Sequence, residues 1–263
     1  MKKWIYQVDA FSAKPFGGNP AGVMVLDEMP QDARMQAIAA EMNLSETAFL
    51  TPQGEEFNLR WFTPATEVEL CGHATLASAH ILWEQGYLTT GQTAVFNTAS
   101  GVLKARRSGD WIEMDFPAYT ISPAESLREV EDALGASINA LVETGGNLLA
   151  ELAAEDGVRG LEPDYSAIGH LPYQGVIATS RSVEPGFDFV SRYFAPRVGI
   201  NEDPVTGSAH SSLGPYWAEK LGKNEMRARQ ISARGGELKV RVVQPRVFIS
   251  GQAVTVFRAE LLV

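Results

Sequence analysis

The chain repeats itself, and this duplication constrains its fold more than any other feature. Arg60-Trp61-Phe62-Thr63-Pro64 returns as Arg192-Tyr193-Phe194-Ala195-Pro196, an offset of 132 residues (192 − 60). Farther along, Cys71-Gly72-His73-Ala74 is matched by Thr206-Gly207-Ser208-Ala209, an offset of 135 (206 − 71). The second copy therefore carries three extra residues between the motifs, which we expect near Glu202-Asp203-Pro204. Several motifs in one order at nearly constant spacing predict two similar half-molecules rather than an array of short repeats.

Composition limits the classes of protein that the chain can belong to. Its 263 residues, 45% apolar and 21% charged, fit one large globular domain or two of ordinary size. The duplication favours two, which we place at residues 1–116 and 117–263, with the last C-terminal strand returning to the first. A net charge of −10 disfavours nucleic acid as a partner. We also expect no membrane association, because no apolar run is long enough to span a bilayer. The single cysteine, Cys71, cannot form an internal disulfide, and together with an N-terminus that reads as a first strand it favours the cytoplasm.

Short apolar runs bounded by turn residues predict a mainly β structure in both halves. The expected strands include residues 22–26, 47–50, 58–62, 111–114, 175–178 and 246–249. Two amphipathic helices are expected at residues 30–42 and 126–134. Two further helices, His73–Trp83 and Ser208–Trp217, carry almost no charge, which is typical of buried helices. Pro215 should kink the second of these or cost it a backbone hydrogen bond.

Both uncharged helices are predicted to start at a glycine followed by a polar residue, Gly72-His73 and Gly207-Ser208. A helix start offers free N–H groups and partial positive charge, and glycine lets a ligand approach the backbone closely. Either glycine alone is explained by a tight turn. For the duplicated pair we favour an anion site, most naturally for a carboxylate, where the two starts face one another across a cleft.

Motifs throughout the chain resemble those of the PhzF-like (phenazine biosynthesis-like) isomerases, which have the diaminopimelate epimerase fold. The resemblance rests on the order and number of short motifs: Val8-Asp9-Ala10-Phe11, Phe16-Gly17-Gly18-Asn19-Pro20-Ala21, Asn43-Leu44-Ser45-Glu46-Thr47-Ala48-Phe49, Arg60-Trp61-Phe62-Thr63-Pro64, Cys71-Gly72-His73-Ala74-Thr75, Arg192-Tyr193-Phe194-Ala195-Pro196, residues 202–210 and residues 230–236. It implies an α+β fold of two pseudo-symmetric β-barrel-like domains, each wrapped around a central buried helix. It also implies a site between the domains, and often a homodimer.

The resemblance further implies a cofactor-independent isomerase, of the racemase and epimerase class, in which Glu46 is the catalytic base and His73, Asp203 and Ser208 assist it. The phenazine branch of the family isomerises trans-2,3-dihydro-3-hydroxyanthranilate. The glycine-histidine motif here is flanked differently from that branch, as Cys71-Gly72-His73-Ala74-Thr75, so the substrate does not transfer with the fold.

The candidate residues have plainer explanations as well. From spacing alone Glu46 is a surface residue at a turn, whereas a carboxyl group partly removed from water has a raised pKa and can act as both base and acid. Asp203 fits a helix cap before Pro204, and it also fits a hydrogen-bond partner of a substrate amine or hydroxyl. His73 can donate to substrate or relay a proton. Ser208 can anchor a carboxylate through its hydroxyl and N–H groups.

Racemases of this fold use two thiols, and one cysteine in the sequence excludes that mechanism by count. Cys71 is either a small buried residue or a lone nucleophile whose pKa is lowered at a helix start. The histidine spacings predict no metal site, and no dinucleotide fingerprint points to a cofactor.

We therefore expect an isomerase of a small amino or hydroxy acid, with Glu46, Asp203 and His73 catalytic and with Gly72, Gly207, Ser208 and Cys71 binding substrate. A hydrolase with Cys71 or Ser208 as nucleophile and a non-catalytic metabolite-binding protein are the alternatives.

Overall fold

A computed structural model describes residues 3–125 and 127–262 of the chain. The chain divides into two compact units, one formed by Met1–Asp115 with Ser250–Val263 and the other by Phe116–Ile249. Each unit is built from strands and contains one long buried helix. The resulting α+β fold is the predicted class.

Ten elements precede residue 118: β1 (Lys3–Ala10), β2 (Asn19–Val25), α1 (Asp32–Met42), β3 (Glu46–Gln53), β4 (Glu56–Phe62), β5 (Glu67–Val68), α2 (Gly72–Glu84), β6 (Ala94–Thr98), β7 (Gly101–Ser108) and β8 (Trp111–Pro117). The rest of the chain forms β9 (Ile121–Pro123), α3 (Leu127–Leu134), β10 (Ala140–Thr144), β11 (Asn147–Glu151), α4 (Glu155–Arg159), α5 (Tyr165–His170), β12 (Val176–Arg181), β13 (Phe189–Ala195), β14 (Ile200–Asp203), α6 (His210–Leu221), β15 (Glu225–Gln230), β16 (Gly236–Val243), β17 (Arg246–Gly251) and β18 (Ala253–Leu261).

The first unit is a mixed sheet covered on both faces. Its strands pair in the order β18-β1-β2-β3-β4-β6-β7-β8, with β2–β3 and β4–β6 parallel and the other pairs antiparallel. The helix α2 packs against β1, β2, β3 and β18, and α1 packs against β3 and β4. Both helices contact β3 itself, and its first six residues are all buried.

The second unit repeats the first, strand for strand. Its pairs follow the order β9-β10-β11-β12-β13-β15-β16 with the same parallel and antiparallel alternation, and α6 packs on β15 and β16. The last strand of each repeat, which we call its closing strand, pairs in the other unit. Strand β9 ends the first repeat but pairs with β10, and β18 ends the second repeat but pairs with β1. The predicted duplication is confirmed by this common pairing scheme.

A clasp of arginine and glutamate recurs at the corresponding place in both units. Arg60 bonds both carboxylate oxygens of Glu67, at 2.7 Å each, and lies 5.2 Å from the ring centre of Phe62. Arg192 holds Glu202 in the same bidentate manner, at 2.7 and 2.9 Å, and lies 4.9 Å from the ring of Phe194. Planar guanidinium groups form such paired bonds with specific geometry, so the clasp fixes β5 and β14 against their neighbours.

The three extra residues of the second copy lie before the expected place. Trp61 pairs with Val68 in the first unit, and Tyr193 pairs with Asp203 in the second. Trp61 and Tyr193 are 132 residues apart, whereas Val68 and Asp203 are 135 apart. The insertion therefore falls between Tyr193 and Asp203. That segment contains a short 3₁₀ turn at Pro196–Val198 and a register shift. The expectation of an insertion around residues 202–204 was wrong, because the clasp keeps Glu202 in register with Glu67.

Pro215 lies inside α6, as predicted, and the backbone hydrogen bond that it removes is replaced by another. A proline at this place leaves the carbonyl of Ser211 without its intrahelical donor. The N–H group of Tyr119 donates to that carbonyl at 3.1 Å. The hydrogen bond that the proline removes from the helix is therefore supplied by a neighbouring segment of the same unit.

Several predicted boundaries need correction. The helix expected at residues 30–42 begins at Asp32, and the one expected at 126–134 is described from Leu127. Ser126 lies outside the described residues, as do Met1 and Lys2 of the segment that was expected to form the first strand. The second uncharged helix begins at His210 rather than at Ser208. Within residues 3–125 and 127–262, no helix combines the length and the apolar character that crossing a membrane requires.

Candidate active site

Glu46 occupies a position that apolar residues dominate. It is the first residue of β3, where it neighbours Ala21 of β2, and its side chain is only 11% exposed. Burial of an ionisable group costs free energy, so packing alone does not explain the residue. The interpretation of Glu46 as a surface residue at a turn was wrong, because the strand begins one residue earlier than the apolar run 47–50 predicts.

His73 lies next to this carboxyl group. Its Nε2 atom is 3.2 Å from Oε2 of Glu46, although the two groups are not aligned as a good hydrogen bond. Burial lowers the pKa of His73 to about 3, because the charged imidazolium is poorly solvated there. At neutral pH the ring is uncharged, so the pair is a carboxyl group beside a neutral imidazole rather than an ion pair.

Cys71 approaches the other side of the same ring. Its Sγ atom is 3.5 Å from Nδ1 of His73, and the residue is buried. Cys71, His73 and Glu46 also offer three metal-ligating atoms within 4.8 Å of one another. However, the thiol meets Nδ1 and the carboxylate meets Nε2, and a single cation binds only one ring nitrogen. The arrangement suits a chain of proton donors and acceptors better than a metal centre.

These groups surround the start of α2. Cys71 precedes the helix and Gly72 is its first residue, as the sequence predicts, and both are buried. The Thr75 side chain and backbone N–H group both donate to the Cys71 carbonyl, at 2.6 and 3.1 Å. The side chain of Cys71, which occupies the N-cap position, makes no capping hydrogen bond. A buried helix start without a cap leaves N–H donors for a ligand.

The second unit has no counterpart of Glu46. Thr47 pairs with Phe62, and Val176 pairs with Phe194, the equivalent phenylalanine, so Gly175 corresponds to Glu46. A Cβ atom at Gly175 would lie 2.5 Å from the Phe194 carbonyl oxygen, too close for any side chain. The duplication therefore provides one carboxyl group at this position, not two.

The predicted residues of the second unit belong to a buried polar network. Asp203 ends β14, and its Oδ2 atom accepts a 2.5 Å hydrogen bond from the Thr206 hydroxyl. The side chain of Gln230 joins them, since it accepts from the Thr206 N–H group and donates to the Asp203 carbonyl, both at 2.8 Å. Sequence reasoning missed the roles of Thr206 and Gln230. The offset of 135 from Cys71 was the only signal that could have drawn attention to Thr206.

Gly207 and Ser208 are not at the start of α6. Residues 207–209 form a tight turn with hydrogen bonds between residues three apart, and the helix follows at His210. Gly207 is buried and Ser208 is partly exposed. One contact of the first unit nevertheless recurs. The Nδ1 atom of His210 lies 2.8 Å from the carbonyl oxygen of Thr206, just as the side chain of Thr75 donates to the carbonyl of Cys71. That the two helix starts meet at one anion site stays a prediction.

Comparisons with known proteins agree on one family. The pattern of phenazine biosynthesis-like proteins (PhzC-PhzF) matches residues 8–259. An uncharacterized isomerase of Halalkalibacterium halodurans is 51% identical, with 98% of both chains covered, and one of Pseudomonas aeruginosa is 50% identical, with 97% of both covered. The crystal structure of a PhzF family protein of Enterococcus faecalis, 42% identical, superposes with a TM-score of 0.95 over 100% of both chains.

More distant structures show the breadth of this fold. A probable proline racemase of Agrobacterium radiobacter has a TM-score of 0.67 over 99% of this chain and 93% of its own, at only 11% identity. Similarity at that identity concerns the fold alone. It confirms the expected diaminopimelate epimerase-like architecture.

Proposed function

The chain belongs to the family of phenazine biosynthesis-like proteins, and from that premise we propose that it is a cofactor-independent isomerase of a small carboxylate, in which Glu46 transfers a proton at carbon. The isomerase class agrees with the names of relatives that cover nearly the whole chain. The observation that carries the proposal is the buried Glu46 carboxyl group, 3.2 Å from an uncharged imidazole and beside an uncapped helix start.

Each group has a task in the proposed reaction. The N–H groups at the start of α2 bind the substrate carboxylate and stabilise negative charge that develops when the neighbouring carbon loses its proton. Glu46 takes that proton and returns it to another carbon, or to the same one. Because His73 is neutral, it provides a hydrogen bond to the reacting groups without adding a charge.

One base implies a transfer on one face of the substrate. A racemase that inverts a centre with two groups needs an acid as well as a base, and the residues of the second copy that correspond to Glu46 and Cys71 are Gly175 and Thr206, which carry neither a carboxyl group nor a thiol. We therefore favour a hydrogen shift between two carbons. Asp203 and Ser208 stay the predicted partners of a substrate amine or hydroxyl, with Gly207 as backbone donor. A homodimer and a cytoplasmic location are further parts of the proposal.

Hydrogen exchange tests the base. The protein is incubated in ²H₂O with a panel of amino, hydroxy and β,γ-unsaturated carboxylates that includes trans-2,3-dihydro-3-hydroxyanthranilate, and deuterium uptake is followed by mass spectrometry. For any substrate that exchanges, we expect Glu46→Gln to slow uptake by about 10²–10⁴-fold, the usual contribution of a general base. Glu41→Gln is the matched control, because Glu41 is exposed on α1. Full exchange by Glu46→Gln would show that another group moves the proton.

A hydrolase is the second candidate, favoured by the 3.5 Å contact between the Cys71 thiol and the imidazole of His73. It requires a covalent acyl-thiol intermediate. A burst of p-nitrophenol from p-nitrophenyl acetate, with an acetyl group found on Cys71 and absent from Cys71→Ala, supports this candidate. No burst together with Glu46-dependent exchange excludes it. Ligand binding without either reaction would indicate a metabolite-binding protein.

A further inference from the structure

The imidazole of His73 lies between a thiol and a carboxyl group and meets each through a different nitrogen. Nδ1 is 3.5 Å from Sγ of Cys71, and Nε2 is 3.2 Å from Oε2 of Glu46. The ring is more than nine-tenths buried. The hydrogen bond at Nδ1 therefore determines whether Nε2 directs an N–H group or a lone pair toward Glu46.

A neutral imidazole has one N–H group and one lone pair, so two arrangements are possible. With the proton on Nδ1, a lone pair of Nε2 points toward the oxygen of Glu46, and a carboxylate there is repelled. With the proton on Nε2, the N–H group faces the carboxylate at 3.2 Å, and Nδ1 accepts from the thiol. Only the second arrangement leaves Glu46 ready to remove a proton.

We propose that Cys71 is a positioning residue, whose S–H group donates to Nδ1 and thereby keeps the proton of His73 on Nε2, facing Glu46. The inference rests on the proposed function in that Glu46 is taken as the base. Cys71 itself touches no reacting atom in this scheme. It acts through the tautomer of the histidine, as orienting groups do in other acid-base sites.

The second unit uses the equivalent position in a similar way. Thr206 corresponds to Cys71, and its hydroxyl donates to the carboxylate of Asp203 at 2.5 Å. Both copies thus place a side-chain proton donor just before the glycine, directed at a buried polar group. A hydroxyl at position 71 should therefore replace the thiol, whereas an alkyl group should not.

The substitution pattern separates this role from the others open to a cysteine. A nucleophile or a thiol base loses function in Cys71→Ser, because a serine hydroxyl is far less acidic than a thiol. A positioning donor survives that change. Cys71→Ala and Cys71→Val remove the donor, and the extended backbone of Cys71 (φ −144°, ψ 110°) accepts the β-branched valine.

Nitrogen NMR of the protein labelled with ¹⁵N-histidine reads the tautomer without any substrate. The sequence contains four histidines, so comparison with His73→Asn assigns the signal of interest. At pH 7 we expect the His73 proton on Nε2 in the natural protein and in Cys71→Ser, and a larger fraction of the Nδ1–H tautomer in Cys71→Ala and Cys71→Val, where only the Glu46 carboxylate opposes it. A proton on Nδ1 in the natural protein, or no shift in either alkyl variant, overturns the proposal. Thermal unfolding of each variant verifies that it is folded, and Cys71→Val serves if Cys71→Ala is not.

Exchange activity gives the second readout. We expect the alkyl variants to exchange on the order of tenfold or more slowly than Cys71→Ser, as when an orienting partner is removed. Loss of exchange in Cys71→Ser with the tautomer unchanged overturns the positioning role in favour of a reacting thiol. If Glu46→Gln keeps its exchange, the proposed base fails whatever the NMR spectra show, so the two failures are distinct.

Discussion

Buried histidines are the residues through which pH acts most directly on this protein. His73 and His210 are both buried, and burial lowers their pKa values to about 3 and 4, with a hydrogen bond to the Thr206 carbonyl opposing the effect at His210. In the unfolded chain a histidine titrates near 6.5. Each therefore stays neutral in the folded protein at pH values where the unfolded chain is protonated.

The sign of the effect follows from linkage. Below pH 6.5 the unfolded state binds a proton that folded His210 does not, so stability falls as pH falls, by up to about 1.4 kcal/mol per pH unit. Above pH 6.5 this contribution is constant. His210→Asn retains an N–H donor at the Nδ1 position but cannot titrate.

We expect the free energy of unfolding of the natural protein minus that of His210→Asn to rise between pH 5 and 6.5 and to be flat from 7 to 8. Urea denaturation at each pH measures it. Parallel stability curves at all pH values would contradict a depressed histidine pKa. Contributions of other groups, His73 included, cancel in the difference.

At the level of single residues, the sequence offered candidates but not their surroundings. The motif order pointed to Glu46 as the base, which stays a prediction, and the count of one cysteine excluded two thiols. The burial of Glu46 and its contact with His73, 27 positions away, follow from the packing of helices on both faces of β3. Hydrophobic periodicity carries no information on such long-range contacts between polar groups.

Among the elements, α6 shows how closely a central helix is fitted to its sheet. A Cβ atom at Gly214 would lie 2.9 Å from Cγ1 of Val240, with methyl groups of Val242 and Val247 at 3.3 and 3.2 Å. Valine side chains have little rotamer freedom to move away. The glycine is therefore required by space, although it lowers the helix propensity of the segment.

We expect Gly214→Ala to lower the free energy of unfolding by about 1 kcal/mol, since overpacking costs about 1–3 kcal/mol against a gain of about 1 kcal/mol in helix propensity. Gly157→Ala is the matched control. That glycine also lies in a helix, α4, but the nearest atom to its added Cβ is a Leu152 methyl group at an ordinary 3.5 Å. Urea denaturation of both variants measures the difference, and equal stabilisation of the two would show that α6 has room for the methyl group.

Element boundaries were predicted well where apolar runs were long and poorly elsewhere. The uncharged character of α2 and α6 indicated buried helices, which the structure confirms. The start of α6 was misplaced because the turn at residues 207–209 has helical spacing in sequence but tighter hydrogen bonds. The short helices α4 and α5 were not predicted, since five or six residues are too few for a periodic pattern.

Over the whole molecule, the unit that contains Glu46 depends on the last strand of the chain. Strand β18 pairs with β1 along its full length, and β1 has β2 as its other partner. Without β18, β1 becomes an exposed edge, and the face of α2 that β18 covers loses its contacts.

A chain ending at residue 249 should therefore lose the first unit and keep the second. We expect hydrogen–deuterium exchange to show unprotected amides in β1 to β4 and protected amides in β11 to β13, and a synthetic peptide of residues 250–263 to restore protection to the former. A peptide of the same composition in scrambled order is the control. Protection of β1 in the shortened chain without the peptide would show that the first unit is complete without β18.

The exchange of closing strands also bears on how such a chain could have arisen. Neither repeat encodes a finished sheet, because the strand that completes it is carried by the other copy. A polypeptide of one repeat could complete its sheet only by exchanging this strand with a second molecule, so it would have been an obligate dimer. In a tandem fusion, the strand exchange between two subunits becomes an exchange between two repeats of one chain. Each repeat can then change in sequence independently of the other. Glu46 in one copy and Gly175 at the corresponding position of the other show that the two copies now differ there.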